Sequence, residues 1–68
     1  MLLDERIIDN YLVQMEADED GDIHVKLSKS DNGWSYETLM NTWRTDRQTA
    51  EEDFRQFVEI AEREAGKK

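Results

Sequence analysis

The segment EADEDGDI, which begins at Glu16, carries carboxylates at alternate positions and raises the question of a metal site. In a calcium-binding loop of the EF-hand type, about 12 residues supply oxygens at alternate positions, and a bidentate Glu closes the loop at the last one. Asp18, Asp20 and Gly21 fit the opening of such a loop, but its closing position falls on Leu27, which has no side-chain oxygen. The sequence therefore predicts a turn, with no metal site and no cofactor, and a weak calcium site is the alternative.

The residues that follow this segment favour the turn. An EF-hand needs a helix on each side of its loop, whereas DIHVKLSK alternates apolar and polar residues in the manner of a half-buried strand. That alternation places Ile23, Val25 and Leu27 on one face of the strand. Because Asp and Gly are favoured in tight turns, the acidic segment is expected to connect two strands of a hairpin.

Residues for catalysis are few. His24 is the sole histidine, and the alternation of its strand places it on the outward face, where we expect it to be solvated. Ser28 and Ser30 lie near it in sequence, but such short spacing is not how a nucleophile and its base usually meet. Gly-rich phosphate loops are absent from the sequence. We therefore predict that the protein is not an enzyme.

Composition and charge exclude several other classes. The 68 residues include no Cys, so disulfides and thiolate metal sites are excluded, and the length predicts a single domain over 1–68. The net charge of −8, with 17 acidic and 9 basic residues, argues against a nucleic acid as direct ligand, because phosphates are bound by clustered Lys and Arg. No apolar run approaches the roughly 20 residues of a membrane span, and MLLDER is unlike a secretory leader. We expect a cytoplasmic protein whose acidity serves solubility, halophilic adaptation or a basic partner.

Two hairpins are predicted before the last third of the chain. NYLVQMEA and DIHVKLSK form the first two strands, SDNG supplies a second turn, and a third strand begins near Trp34. Residues 1–6 are expected to be a frayed N-terminus. The segment 36–44 is ambiguous, because Tyr36, Leu39, Met40 and Trp43 are spaced as on a helix face while Trp, Tyr and Thr favour strands. A short extra helix near 36–44 is thus the alternative to the third strand.

The C-terminal segment is predicted to be an amphipathic helix over 46–65. Thr45 with Gln48, and Thr49 with Glu52, both fit a capping box at its start. Its apolar side chains form one stripe that must be buried against another element: Ala50, Phe54, Phe57, Val58, Ala61 and Ala65. The resulting fold class is α+β, a small three-stranded antiparallel sheet packed by one C-terminal helix, in the order βββα.

The aromatic residues and the acidic turn together suggest a binding surface. Trp34 and Trp43 have opposite strand parity, so one is expected to face the core and the other to face outward. An exposed Trp beside carboxylates is typical of an interface hot spot. The candidate partner-binding residues are Asp18, Glu19, Asp20, Asp22, Trp34 and Trp43.

The element order, with YLVQMEADEDGDIHVKL in front and TAEEDFRQFVEIAE behind, is similar to the sheet-plus-helix half of HicB-type antitoxins, and also to other modules of three strands and a helix. Small phage-encoded inhibitors of host nucleic-acid enzymes share the size, acidity, scarcity of Cys and mixed α/β type. Dense carboxylates can imitate the phosphate spacing of a nucleic acid. We therefore expect a non-catalytic inhibitor, of phage-inhibitor or antitoxin type, that occupies a basic surface of another protein, for instance that of a nucleic-acid-processing enzyme. The alternative is a self-associating structural or regulatory subunit, in which outward aromatic side chains close a homodimer.

Overall fold

The computed structural model describes residues 1–67. Four antiparallel strands, β1 (Leu2–Ile8), β2 (Tyr11–Ala17), β3 (Ile23–Lys29) and β4 (Glu37–Arg44), form one sheet in the order β1-β2-β3-β4. One helix, α1 (Arg47–Ala65), follows β4 and packs on one face of the sheet. The α+β class with a C-terminal helix is as predicted, but the sheet has four strands and not three.

The additional strand is β1, which includes the residues expected to be frayed. Its register pairs Asp4 with Met15 and Ile8 with Tyr11, and Leu3 and Ile8 pack against the core. The hairpin turns at Asp9, whose φ of 53° lies in the left-handed region that Asp enters more easily than most residues. The segment IIDNYLVQMEA therefore holds the end of one strand, a tight turn and a second strand.

The hydrophobic core lies between the helix and the two central strands. The alternation predicted for β3 is confirmed, and β2 alternates in register with it, so that both strands bury every second side chain against α1. The stripe of α1 supplies the other half of this layer. The buried apolar residues are Tyr11, Val13, Met15, Ile23, Val25, Leu27, Ala50, Phe54, Phe57, Val58 and Ala61.

The segment 36–44 is strand and not helix. Its register with β3 shifts between Leu27 and Ser28, which pair with Met40 and Thr38, so that Leu39 is the extra residue of a β-bulge. The bulge places Leu39 and Met40 out of strict alternation, which is why the apolar spacing of this segment resembles a helix face. The strand begins at Glu37, three residues after the Trp34 at which it was expected.

The start of α1 differs from both predicted capping boxes. Asp46 is the N-cap, and its carboxylate accepts hydrogen bonds from the Thr49 backbone N–H at 2.9 Å and from the Thr49 hydroxyl at 2.8 Å. Asp46 lies between the two predicted caps, Thr45 and Thr49, and an Asp satisfies the free amides of a first helical turn as well as a Thr does.

In the part of the chain that is described, no helix has the length and apolarity that a membrane crossing needs.

Candidate functional site: the acidic turn and the open face of the sheet

The acidic turn, residues Asp18 to Asp22, is built by its first carboxylate. Asp18 Oδ1 accepts hydrogen bonds from the backbone N–H groups of Asp20 and Asp22, each at 2.9 Å. Gly21 has a φ of 89°, a conformation that a residue with a Cβ adopts only under strain. Asp18 therefore shapes the turn, while Glu19 and Asp20 project from it and are exposed.

The carboxylates of the acidic turn have no cationic neighbours at bonding distance. Within residues 1–67, the ion pairs are Lys29–Asp31, Arg44–Asp53, Arg47–Glu51 and Lys67–Glu64, and none of them involves the turn. The same residues contain no group of three or more His, Cys, Asp or Glu side chains arranged to hold a metal ion. The turn is thus a local concentration of negative charge that faces solvent.

The open face of the sheet, the face opposite α1, carries one aromatic pair. Cross-strand pairing places Glu16, His24 and Trp43 side by side across β2, β3 and β4. The rings of His24 and Trp43 stack with centroids 4.1 Å apart and planes 4° from parallel. Trp43 remains 60% exposed, so the stack fixes the orientation of a large apolar side chain without burying it.

His24 is on the outward face, as predicted, but it is not fully solvated. Its ring is half-buried, and its Nε2 is buried with no hydrogen-bond partner among the described residues. The stacking with Trp43 contributes to this burial, since the indole covers one face of the imidazole. The pairing of two aromatic rings on adjacent strands is a known source of sheet stability.

Trp43 lies beside the acidic turn. Arg44, which follows it, pairs with Ile23, the first residue of β3 after the turn. Met1 reaches the same end of the sheet, where its amino group donates a hydrogen bond to the Ala17 carbonyl oxygen at 2.7 Å. This end therefore combines the carboxylates of the turn with three exposed apolar side chains, those of Met1, Leu2 and Trp43.

Trp34 lies at the other end of the sheet. It belongs to the connection between β3 and β4 and is 91% exposed. Asn32 Oδ1 holds this connection by accepting hydrogen bonds from the N–H groups of Trp34 and Ser35, at 2.8 and 3.1 Å. The seven residues of β3 separate it from the acidic turn, a length of about 20 Å at the usual rise of a strand.

The predicted partner-binding residues are therefore divided between two places. Asp18, Glu19, Asp20 and Asp22 lie with Trp43 at one end, and Trp34 lies at the opposite end. The expectation that one Trp faces the core is wrong, because both are exposed. Its premise was a strand that already included Trp34, and the strand begins only at Glu37.

Sequence reasoning missed the polar cluster that connects β4 to α1. Asp53 Oδ2 accepts hydrogen bonds from Arg44 Nε at 2.6 Å and from the Thr42 hydroxyl at 2.8 Å. The hydrogen bond from the Arg44 guanidinium is the main reason that the pKa of Asp53 lies below its ordinary value, although burial opposes this effect. The sequence signal was available, since Asp53 falls on the apolar stripe of α1 between Ala50 and Phe54, a position that calls for a partner when it carries charge.

This cluster also positions the candidate site. Thr42 and Arg44 are the two neighbours of Trp43 in β4, and both are bonded to the same helical carboxylate. Because strand side chains alternate in direction, this bonding on the helix side keeps Trp43 on the open face.

The chain matches no protein-family model, no curated protein and no solved structure. The likeness to HicB-type antitoxins rests on element order alone, and the additional strand β1 departs from that order.

Proposed function

We propose that this protein is a non-catalytic binding module, an inhibitor that occupies a basic surface of another protein with the acidic turn and Trp43. The observation that carries the proposal is the position of an exposed, stacked Trp43 beside carboxylates that have no ion-pair partner among the described residues. A surface that normally holds nucleic acid fits best, because its Lys and Arg side chains are spaced to meet anionic groups.

The two parts of the site have different physical roles. The unpaired carboxylates create a local negative field, which accelerates encounter with a basic partner and weakens as salt screens it. Trp43 supplies apolar contact area once the surfaces meet, and its stacking on His24 means that little side-chain freedom is lost on binding. Affinity would thus depend on Trp43, and the association rate on the turn.

The test begins with capture of a partner on the tagged protein at low salt, followed by measurement of Kd and association rate with the purified partner. Two variants probe the site: Glu19→Gln with Asp20→Asn, which keeps Asp18 as the builder of the turn, and Trp43→Ala. We expect the first variant to lower the association rate about tenfold at low salt and the second to raise Kd at least tenfold. Excess duplex DNA should displace the protein from its partner.

Two control variants match these changes elsewhere on the surface. Glu51→Gln with Glu52→Gln removes the same charge from exposed positions of α1, and Trp34→Ala removes the other exposed indole. Both should bind as the parent does. A partner that binds equally well at low and at moderate salt, or that both control variants weaken as much as the site variants do, would contradict the proposal.

A further inference from the structure

The two edges of the sheet differ in how well charged residues protect them from pairing with another chain. β1 and β4 are the edge strands, and each presents one row of backbone N–H and C=O groups that no other described strand pairs. Natural proteins usually place charges on such an edge, because an uncharged edge pairs readily with another chain. β1 has three consecutive charged residues in its middle, Asp4, Glu5 and Arg6, whereas β4 has charges only at its two ends, Glu37 and Arg44.

β4 is also less covered by the helix than its neighbour. Met40 and Leu27 are paired in register, so their side chains share the helix face of the sheet. Leu27 is 1% exposed, but Met40 is 44% exposed, because α1 packs mainly over β2 and β3. Leu39 and Tyr36, close by in the chain, are 49% and 46% exposed. The uncharged edge is therefore bordered by apolar side chains that have no covering element.

We propose that β4 pairs in antiparallel fashion with β4 of a second copy across a two-fold axis, which makes one continuous sheet of eight strands. An axis perpendicular to the sheet relates two antiparallel edge strands, so both helices lie on the same face. The bulge interrupts the register of β4 only at Leu39, so Glu37 and Thr38 before it and Met40 to Arg44 after it remain strand and take part in the pairing.

Charge complementarity favours a second copy as the occupant of this edge. In antiparallel pairing of the full strand, Glu37 lies beside the partner's Arg44, so opposite charges are adjacent at both ends of the interface. The Arg44 guanidinium also binds Asp53 of its own chain, so each end joins one cation to two carboxylates. Each copy carries a net charge of −8, which opposes association. The antiparallel arrangement limits this cost, because the acidic turn lies at the Arg44 end of β4 and the two turns are therefore carried to opposite ends of the joined sheet.

Sedimentation velocity over a concentration range up to about 200 µM tests the proposal with two single-residue variants. The wild-type protein should sediment with twice the mass of the 8.1 kDa chain. Met40→Lys places a charge on the β4 edge and should raise the dimer dissociation constant at least tenfold. Ile7→Lys makes the same charge change at an exposed residue of β1 and should leave the dimer intact. Met40 and Ile7 are 44% and 64% exposed in the single chain, so a Lys at either position can place its amino group in solvent.

The two variants also separate edge pairing from face-to-face packing. Ile7 pairs with Leu12 and shares the open face of the sheet with it. A dimer that packs through the open face would therefore be weakened by Ile7→Lys and not by Met40→Lys. That result, or a wild-type chain that stays monomeric at the highest concentration, would overturn the proposal. Amide exchange gives a second readout, since β4 amides should become more protected as the concentration rises while β1 amides do not. Whether the chain forms this dimer does not depend on whether the acidic turn binds a basic partner.

Discussion

At the scale of single residues, the carboxylate of Asp53 joins α1 to β4. It lies on the buried side of α1, where an unpaired charge would be costly, and Arg44 and Thr42 satisfy it from the adjacent strand. The Arg44 side chain is 43% exposed, so water screens part of the ion pair and its contribution is below that of a fully buried pair. The pair still provides a direct polar contact between β4 and α1.

Replacing this carboxylate gives a direct test of the cluster. Asp53→Asn keeps the size of the side chain but removes its charge, and we expect it to lower the free energy of unfolding by about 1 to 2 kcal/mol. Glu52→Gln is the matched control, because it makes the same charge change at the preceding, exposed position of α1. Urea unfolding at neutral pH should show the loss for Asp53→Asn and little change for the control. Equal losses would mean that net charge, and not the cluster, is responsible.

The contribution of Asp53 to the free energy of unfolding should depend on pH. The pKa of Asp53 is held below its ordinary value of 3.8, first by the hydrogen bond from Arg44 and also by the one from Thr42. A carboxyl whose pKa is lower in the folded state contributes stability above its unfolded pKa, and that contribution disappears as the pH falls through the folded value. The difference in unfolding free energy between wild type and Asp53→Asn should therefore be constant from pH 7 to about 5 and close below pH 3.8. A difference that persists at low pH would contradict the assignment.

At the scale of elements, the start of α1 depends on Asp46 and not on either flanking Thr. Asp46→Ala removes the acceptor of two hydrogen bonds from Thr49, which also hold the pKa of Asp46 below its ordinary value. We expect a lower Tm and a loss of helical ellipticity that begins below the main transition, as the first turn frays. Thr45→Ala should leave both quantities unchanged. A Tm that falls more for Thr45→Ala than for Asp46→Ala would restore the capping box predicted from the sequence.

The elements that could be predicted are those that are buried on one side. β2, β3 and α1 form the core, so their apolar residues repeat with the period of the element, and that period is visible in the sequence. β1 was missed because an edge strand with Asp4, Glu5 and Arg6 in its middle shows little alternation, and because its turn at Asp9 lies inside an apolar segment.

Only part of the candidate site could be predicted from the sequence. The acidic turn could be located from residue types alone, since Asp and Gly favour tight turns. The place of Trp43 beside it depends on the register of β4, which the bulge at Leu39 shifts by one residue. A shift of that kind exchanges the faces of all later side chains, and no local pattern in the sequence marks it.

At the scale of the whole molecule, the net charge of −8 acts over the full size of the protein. The described chain extends over 39 × 22 × 15 Å. The Debye length is about 30 Å at 0.01 M salt and about 10 Å at 0.1 M, so at low salt most carboxylates repel one another across the molecule, and at higher salt only neighbours do. The described ion pairs are few and, apart from Arg44–Asp53, involve exposed side chains that contribute little. Repulsion should therefore dominate the response to salt.

We expect the Tm to rise by several degrees when NaCl is raised from about 0.01 to 0.2 M, because screening relieves this repulsion. Glu19→Gln with Asp20→Asn changes the net charge from −8 to −6, as two acidic residues are removed, so it should raise the Tm at low salt and flatten the salt dependence. Differential scanning calorimetry at both salt concentrations measures this. A Tm that falls with salt would show that ion pairs outweigh repulsion. If the expected result is obtained, the acidic turn destabilises the isolated chain, and its carboxylates then need a reason other than stability, which binding to a basic surface would supply.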